Sequence, residues 1–197
     1  MRKYSSNLAF VDLLFNLLVG FTSLFIIAFL MINPIAKQGE VTPPVMMMIQ
    51  SHWDDESSRD VDLWVKTPSG VVGYTSKDTG SAKLERDDLG KESDTYEVNG
   101  EKHVVKRNYE VVNFTAMPDG EYIVNVHMFS TILNAPESVR ITITVLGPFK
   151  EVWSGDIILD IPKRELTAIS FLVEDGKIVD LNTDIQVKIR VPTSRIP

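Results

Sequence analysis

From Leu8 to Ile32 the sequence runs LAFVDLLFNLLVGFTSLFIIAFLMI, and Asp12 is its single charged side chain. As a helix at about 1.5 Å per residue this run is about 37 Å long, enough to cross a hydrocarbon core of about 30 Å with some tilt. A helix closes its own backbone hydrogen bonds, which lipid cannot do for it, so residues 8–33 read as a transmembrane helix. A cleaved signal peptide is the nearest rival, because Arg2 and Lys3 precede the run. Signal peptides, however, carry apolar regions of about 7–15 residues and a small-x-small cleavage site. Here Leu24 to Ile32 continues without interruption into Asn33-Pro34. Arg2 and Lys3 against Lys37 place residues 1–7 in the cytoplasm by the positive-inside rule, and the rest of the chain outside.

Asp12 is the informative residue of the span. A carboxylate within a spanning helix costs about 2.5–3.5 kcal/mol on insertion scales and is rarely kept without a role. Helical spacing puts Asp12, Asn16, Gly20 and Ser23 on one face, with Thr22 at its edge, while the other faces carry Leu, Phe, Ile and Val. Such a polar stripe suits contact with another helix or with a water-filled path. The bland alternative is that Asp12, one turn from the cytoplasmic end, snorkels into the headgroups.

The remainder has a different character. Residues 1–37 hold three of the chain's 20 basic and one of its 27 acidic side chains, which leaves residues 38–197 with 17 and 26, a net charge of −9. That acidity argues against nucleic-acid binding, which depends on Lys and Arg neutralising phosphates. The chain has no cysteine, which excludes disulfides, thiolate zinc sites and Cys nucleophiles. Residues 34–44, PIAKQGEVTPP, read as a semi-extended linker.

Beyond the linker, period-two alternation marks Val61 to Val65, Tyr122 to Phe129, Val139 to Val145 and Ile185 to Val191 as strands. Turn signals at Pro68-Ser69-Gly70, Pro118-Asp119-Gly120 and Glu174-Asp175-Gly176 punctuate them, and no helical period of comparable length follows. The expectation is an antiparallel β-sandwich of about seven to nine strands over residues 45–197. Trp64 and Trp153 are expected in its core, and Met46 to Met48 form either the first strand or an apolar contact near the membrane.

Asp60 and Asp62 share a strand face, and Asp87 and Asp88 sit in a Gly-bounded loop able to approach them. Hard oxygen ligands from two loops suit calcium, although acidic pairs at strand edges are also commonly just solvated. His52, His103 and His127 lack metal-binding spacing, so structural roles are expected for them. No G-x-S-x-G elbow, Walker loop or paired catalytic carboxylates occur, and enzymatic activity is not expected.

The segment FVDLLFNLLVGFTSLFIIAFLMI, with a short basic start, one early Asp and an exported C-terminal domain, resembles the B-type subunits of ion-driven motors: ExbD, TolR, MotB and, most closely in wording, ZorB of the Zorya antiphage systems. The resemblance spans residues 5–33. It implies that Asp12 carries a proton or sodium ion, and that two copies of the chain, a homodimer, sit within a pentamer of A-type subunits (ExbB, TolQ, MotA, ZorA) in a bacterial inner membrane. It also implies a periplasmic or extracellular domain with a target of its own, in phage defence if the ZorB wording is followed. A second resemblance, carried by DVDLWVKTPSG, GSAKLERDDLG and DGEYIVNVHMF, is to the YfaP-type extracytoplasmic domain, which implies a β-sandwich that recognises or scaffolds a partner. The OmpA-like peptidoglycan-binding region of MotB and ZorB has no counterpart here. The competing readings are a membrane-tethered binding module without ion transport, and a secreted β protein behind an atypical signal peptide.

Overall fold

The computed structural model of this chain describes residues 6–32, 44–130 and 135–190. Asn33, the expected linker through Pro43, and Val191 to the C-terminus lie outside them. The chain divides into two units, residues 1–42 and 43–197. In the first, α1 (Ser6–Ile32) is one uninterrupted helix without proline. Its 24 residues from Leu8 to Met31 are all exposed, so their apolar side chains find no core within this unit among the described residues. A helix of that length and composition is a membrane anchor or a signal sequence.

The second unit is an antiparallel β-sandwich. One sheet has the order β10-β9-β1-β7-β4 and contains β1 (Met47–His52), β4 (Ala82–Arg86), β7 (Tyr109–Phe114), β9 (Glu137–Leu146) and β10 (Phe149–Leu159). The other has the order β12-β11-β8-β2-β3 and contains β2 (Val61–Thr67), β3 (Gly70–Val72), β8 (Gly120–Met128), β11 (Glu165–Glu174) and β12 (Lys177–Asn182). A separate hairpin pairs β5 (Thr95–Val98) with β6 (Glu101–Val104), both fully exposed. The two sheets thus hold ten strands where about seven to nine are expected. Short strands explain part of the excess: β3 has only 3 residues, too few to carry a readable alternation.

In β1, β7 and β9 alternation places one face of the strand in the core. Ile49 on β1 is in register with Val112 on β7 and Ile143 on β9, and all three are buried. Across the sandwich, Leu63, Val65, Val124, Val126, Ile169 and Phe171 face them. Each fully buried aliphatic side chain contributes about 1.5–3 kcal/mol relative to an exposed one. Tyr122 stacks on Phe171 at 5.0 Å between ring centroids, and its hydroxyl donates to the Pro118 carbonyl at 2.8 Å, anchoring the turn that enters β8.

Three expectations are corrected here. The run Ile185 to Val191 is not a strand in its described part: residues 185–190 form an extended strap over the outer face of the second sheet. Side chains take the place of a strand ladder. Val187 N–H donates to Thr167 Oγ1, Asn125 Nδ2 donates to the Val187 carbonyl, and the N–H groups of Ile189 and Arg190 donate to Glu165 Oε1. Trp64 is buried, but with Ile123 and Ile189 in a second cluster on that outer face. Trp153 is only partly buried against the main core, whereas Trp53 is fully enclosed in it. Met47 belongs to β1, so the methionine run opens the first strand.

Gly73 explains how Trp64 fits its cluster. A Cβ at that position would lie 2.4 Å from the Trp64 ring. Gly73→Ala is therefore expected to displace the indole and lower stability by about 1–3 kcal/mol, measured by denaturant unfolding. An unchanged midpoint would show that the cluster is loosely packed.

Candidate functional site

The four residues of the predicted stripe all lie on α1 with exposed side chains. Their chemistry differs. Ser23 Oγ donates to the Val19 carbonyl and Thr22 Oγ1 to the Leu18 carbonyl, each at 2.8 Å, so these hydroxyls are satisfied by their own helix. Asp12 and Asn16 have no hydrogen bond among the described residues. At Gly20 a Cβ would meet nothing within 4 Å, so the helix surface there is a shallow groove.

The second candidate lies at one edge of the sandwich, where β2 has a free stretch before it pairs with β3. Asp62 on β2, Asp87 after β4 and Glu110 on β7 present carboxylate oxygens that all lie within 4.8 Å of one another. Glu110 is an inward-facing residue of β7, in line with Val112 and Phe114. Its carboxylate reaches across the sandwich: Oε2 accepts the Leu63 N–H at 2.6 Å and Oε1 the Asp88 N–H at 3.3 Å. Asp62 Oδ2 is bonded to His127 Nδ1 at 2.8 Å, and both residues are buried. Asp87 Oδ2 accepts from Lys77 Nζ at 2.8 Å in an exposed pair.

The loops that bring these groups together are firmly held. Asn108, fully buried, donates through Nδ2 to the carbonyls of Asp54 and Ser57, and Trp53 Nε1 donates to the Arg59 carbonyl. This fixes the β1–β2 loop that delivers Asp60. Gly90 adopts φ +69, and a Cβ there would stand 2.7 Å from the Arg59 carbonyl. Only glycine lets the loop bearing Asp87 approach so closely.

Of the four predicted cation ligands, the structure gathers Asp62 and Asp87 with Glu110, leaves Asp60 close by but outside that triangle, and turns Asp88 to another use. Asp88 Oδ2 accepts from Arg86 Nε and Nη2 at 3.0 and 2.6 Å, and Oδ1 accepts the Gly90 N–H at 3.0 Å, so it braces its own loop. Asp60 Oδ1 is buried without a hydrogen-bond partner. Glu110 is the group that sequence reasoning missed. The readable signal is a glutamate at the core-facing position of the run Glu110-x-Val112-x-Phe114. What hides the cluster is that β7 packs across the sandwich from β2, a pairing of sheets the sequence does not display.

Burial and crowding disturb Asp60, Asp62 and Glu110 in one direction. Burial first, then the charges of Asp62 and Asp87, push the Asp60 carboxyl up to about 7, with Lys163 opposing. Burial raises Asp62 against the pull of His127, and it raises Glu110 well above the usual range against its backbone donors. Dry, adjacent carboxylates need protons or a cation. Calcium binds oxygens at about 2.3–2.6 Å, so two ligand atoms on one ion can stand up to about 5 Å apart, and the three-carboxylate triangle fits.

The histidines do not gather a metal. His52 is paired with Asp55 at 3.1 Å on the surface, His103 stacks on Tyr96 in the exposed hairpin, and His127 serves Asp62. A concavity of about 630 Å³ beside Trp53 is electrostatically closed, because Arg59 pairs with Glu137 and Arg140 with Asp156.

No protein-family model matches this chain, and no curated protein does. A crystal structure of an unknown-function protein, SAV2460, is similar at a TM-score of 0.46 and 17% identity, over 75% of this chain and 92% of that one.

A raised carboxyl pKa makes the folded state bind the proton more tightly than the unfolded state. Asp60 therefore adds stability fully present below its unfolded value of 3.8 and lost as pH rises through about 7. In cation-free buffer the β-sandwich should become more stable as pH falls from 8 to about 5, and Asp60→Asn should flatten that dependence. Thermal unfolding against pH measures this, and an unchanged slope in the variant would remove Asp60 as its source.

Proposed function

We propose that this chain is the B-type subunit of a proton- or sodium-driven motor, anchored in a bacterial inner membrane by α1, with Asp12 as the ion carrier. The observation that carries the reading is a single charged side chain, an acid, on an apolar span of 24 residues, with no hydrogen bond to it among the described residues. Asn16 stands one turn further along the same face, and the groove at Gly20 lets a neighbouring helix approach closely. Two copies would sit within a pentamer of multi-span A-type subunits of the MotA, ExbB or ZorA kind, with the β-sandwich as the load-bearing or sensing end outside. Asp12 is neutral while it holds the ion facing the ring and ionised where water reaches it. Each ion crossing a potential of 100 mV supplies about 2.3 kcal/mol to that cycle. Phage defence is the service that the ZorB likeness suggests.

Asp12→Asn keeps the shape of the side chain and removes the titratable group. The variant should insert and accumulate as wild type does while losing ion-dependent activity in the host, and Asp12→Glu should retain part of it. Full activity of the Asn variant, measured beside membrane levels of the protein, would exclude ion carriage.

A second reading, a membrane-tethered binding module without transport, is favoured by the Asp62, Asp87 and Glu110 cluster, whose carboxylate oxygens are the donor type that calcium takes. A ligand bound only by the folded state stabilises it by about 2.7 kcal/mol at 100 times its Kd. Calcium should accordingly raise the melting temperature of the wild type, and Glu110→Gln should abolish the rise. No calcium-dependent shift in the wild type would leave the cluster a purely proton-binding one.

A further inference from the structure

The β domain is acidic, yet one concavity on it is lined by cations. A cavity of about 390 Å³ lies between the turn that leads into β11 and the strap, lined by Lys163, Arg164, Glu165, Gln186, Lys188 and Arg190 among others. Lys188 and Arg190 flank Ile189, which is buried against Trp64 and Ile123, so the strap's alternation seats Ile189 on the sheet and leaves its two neighbours to line the cavity. Lys163 holds φ +60, a left-handed backbone that a long side chain seldom adopts.

The charges do not cancel within this pocket. Arg164 is paired with Asp160 at 2.8 Å, and the Lys163 ammonium bonds the Phe129 carbonyl and lies 4.0 Å from the centre of its ring. Glu165 is the pocket's own acid, and its Oε1 already accepts from Asn125 Nδ2, Ile189 N–H and Arg190 N–H. Lys188 and Arg190 have no ion pair among the described residues. With Arg164 offset by Asp160, the cations Lys163, Lys188 and Arg190 stand against the one carboxylate of Glu165, a surplus of two positive charges that a single monovalent anion does not balance. Cations arriving from two separate segments suit a tetrahedral oxyanion, which accepts from several directions, better than a planar carboxylate, which one Arg fork satisfies.

We propose that this pocket binds a phosphate group, either inorganic phosphate or the head of an anionic phospholipid, and that binding pins the strap to the sheet. The inference does not depend on ion carriage by Asp12. The strap is held to the sheet through side chains, so a ligand bridging Lys188 and Arg190 to Lys163 and Arg164 would suppress its opening. The reporters are the amides of Val187, Ile189 and Arg190, bonded to Thr167 Oγ1 and Glu165 Oε1.

The test is hydrogen exchange on the full chain in phosphatidylcholine nanodiscs, with inorganic phosphate or chloride added at matched ionic strength, and separately in nanodiscs containing phosphatidylglycerol. Phosphate at ten times its Kd should slow the three amides about tenfold where opening and ligand release go together. Slowing by phosphate alone identifies the free anion as a sufficient ligand, and slowing only with phosphatidylglycerol identifies the lipid head; either result supports the site. The Lys188→Gln/Arg190→Gln double variant changes side chains outside the main core and should lose the slowing while β8 exchange stays unchanged. Equal slowing by chloride, equal slowing in the double variant, or no slowing in either lipid would overturn the proposal.

Discussion

A carboxylate withdrawn from water must find a proton, a cation or a set of N–H donors, because an ionised acid left alone in a low-dielectric setting costs several kcal/mol or more. Both units of this chain are organised around that requirement. In the β-sandwich it is met visibly: Glu110 lies at the junction of the two sheets and takes the Leu63 and Asp88 N–H groups, while Asp62 takes His127. On α1 the same requirement falls on Asp12, whose helix offers it no donor among the described residues. Under the motor reading, a partner helix and a transported ion supply what the chain itself lacks.

Glu110 also does a structural job that an apolar residue would not. The first half of β2 has no strand neighbour on the side away from β8, so the buried Leu63 N–H has no ladder partner there. A carboxylate from the opposite sheet supplies that partner, so the site and the packing of the sandwich are the same object. Anything that changes the charge of the cluster therefore acts on stability as well as on binding. Asp88 shows the contrast. Its own N–H is one of Glu110's donors, yet its carboxylate is paired with Arg86 and helps to place the loop without entering the triangle.

Much of this architecture is legible in the residues themselves, for identifiable reasons. The apolar run of α1 needs no tertiary partner to be recognised, since its period-free hydrophobicity is itself the signal. β9 is readable because one face of it is buried and alternation reports that directly, whereas β2 and β8 are buried on both faces and are readable as short runs bounded by turn residues. Ile185 to Arg190 alternates equally well and yet pairs with no strand, because Asn125, Thr167 and Glu165 satisfy its backbone instead. Alternation reports a two-sided environment and not the partner that creates it. Asp60 and Asp62 are readable as neighbours because they flank one residue of a strand, and Asp87 because it sits in a glycine-bounded acidic loop. Glu110 is not, since its place in the cluster depends on which strands share a sheet. Ser23 belongs to the helical stripe by spacing, and only its hydrogen bond to Val19 shows that it needs no partner.

The motor reading joins a helix that cannot bury its one acid to a folded domain with binding surfaces of its own. Ion carriage requires company, because a lone helix gives Asp12 neither an access path nor a second set of ligands. The most direct measurement is the composition of the complex isolated in mild detergent from native membranes, with subunit stoichiometry read by native mass spectrometry. The account predicts two copies of this chain together with a ring of multi-span subunits, and loss of that ring when Asp12 and Asn16 are both replaced by leucine. Recovery of the wild-type chain as a lone monomer would contradict it.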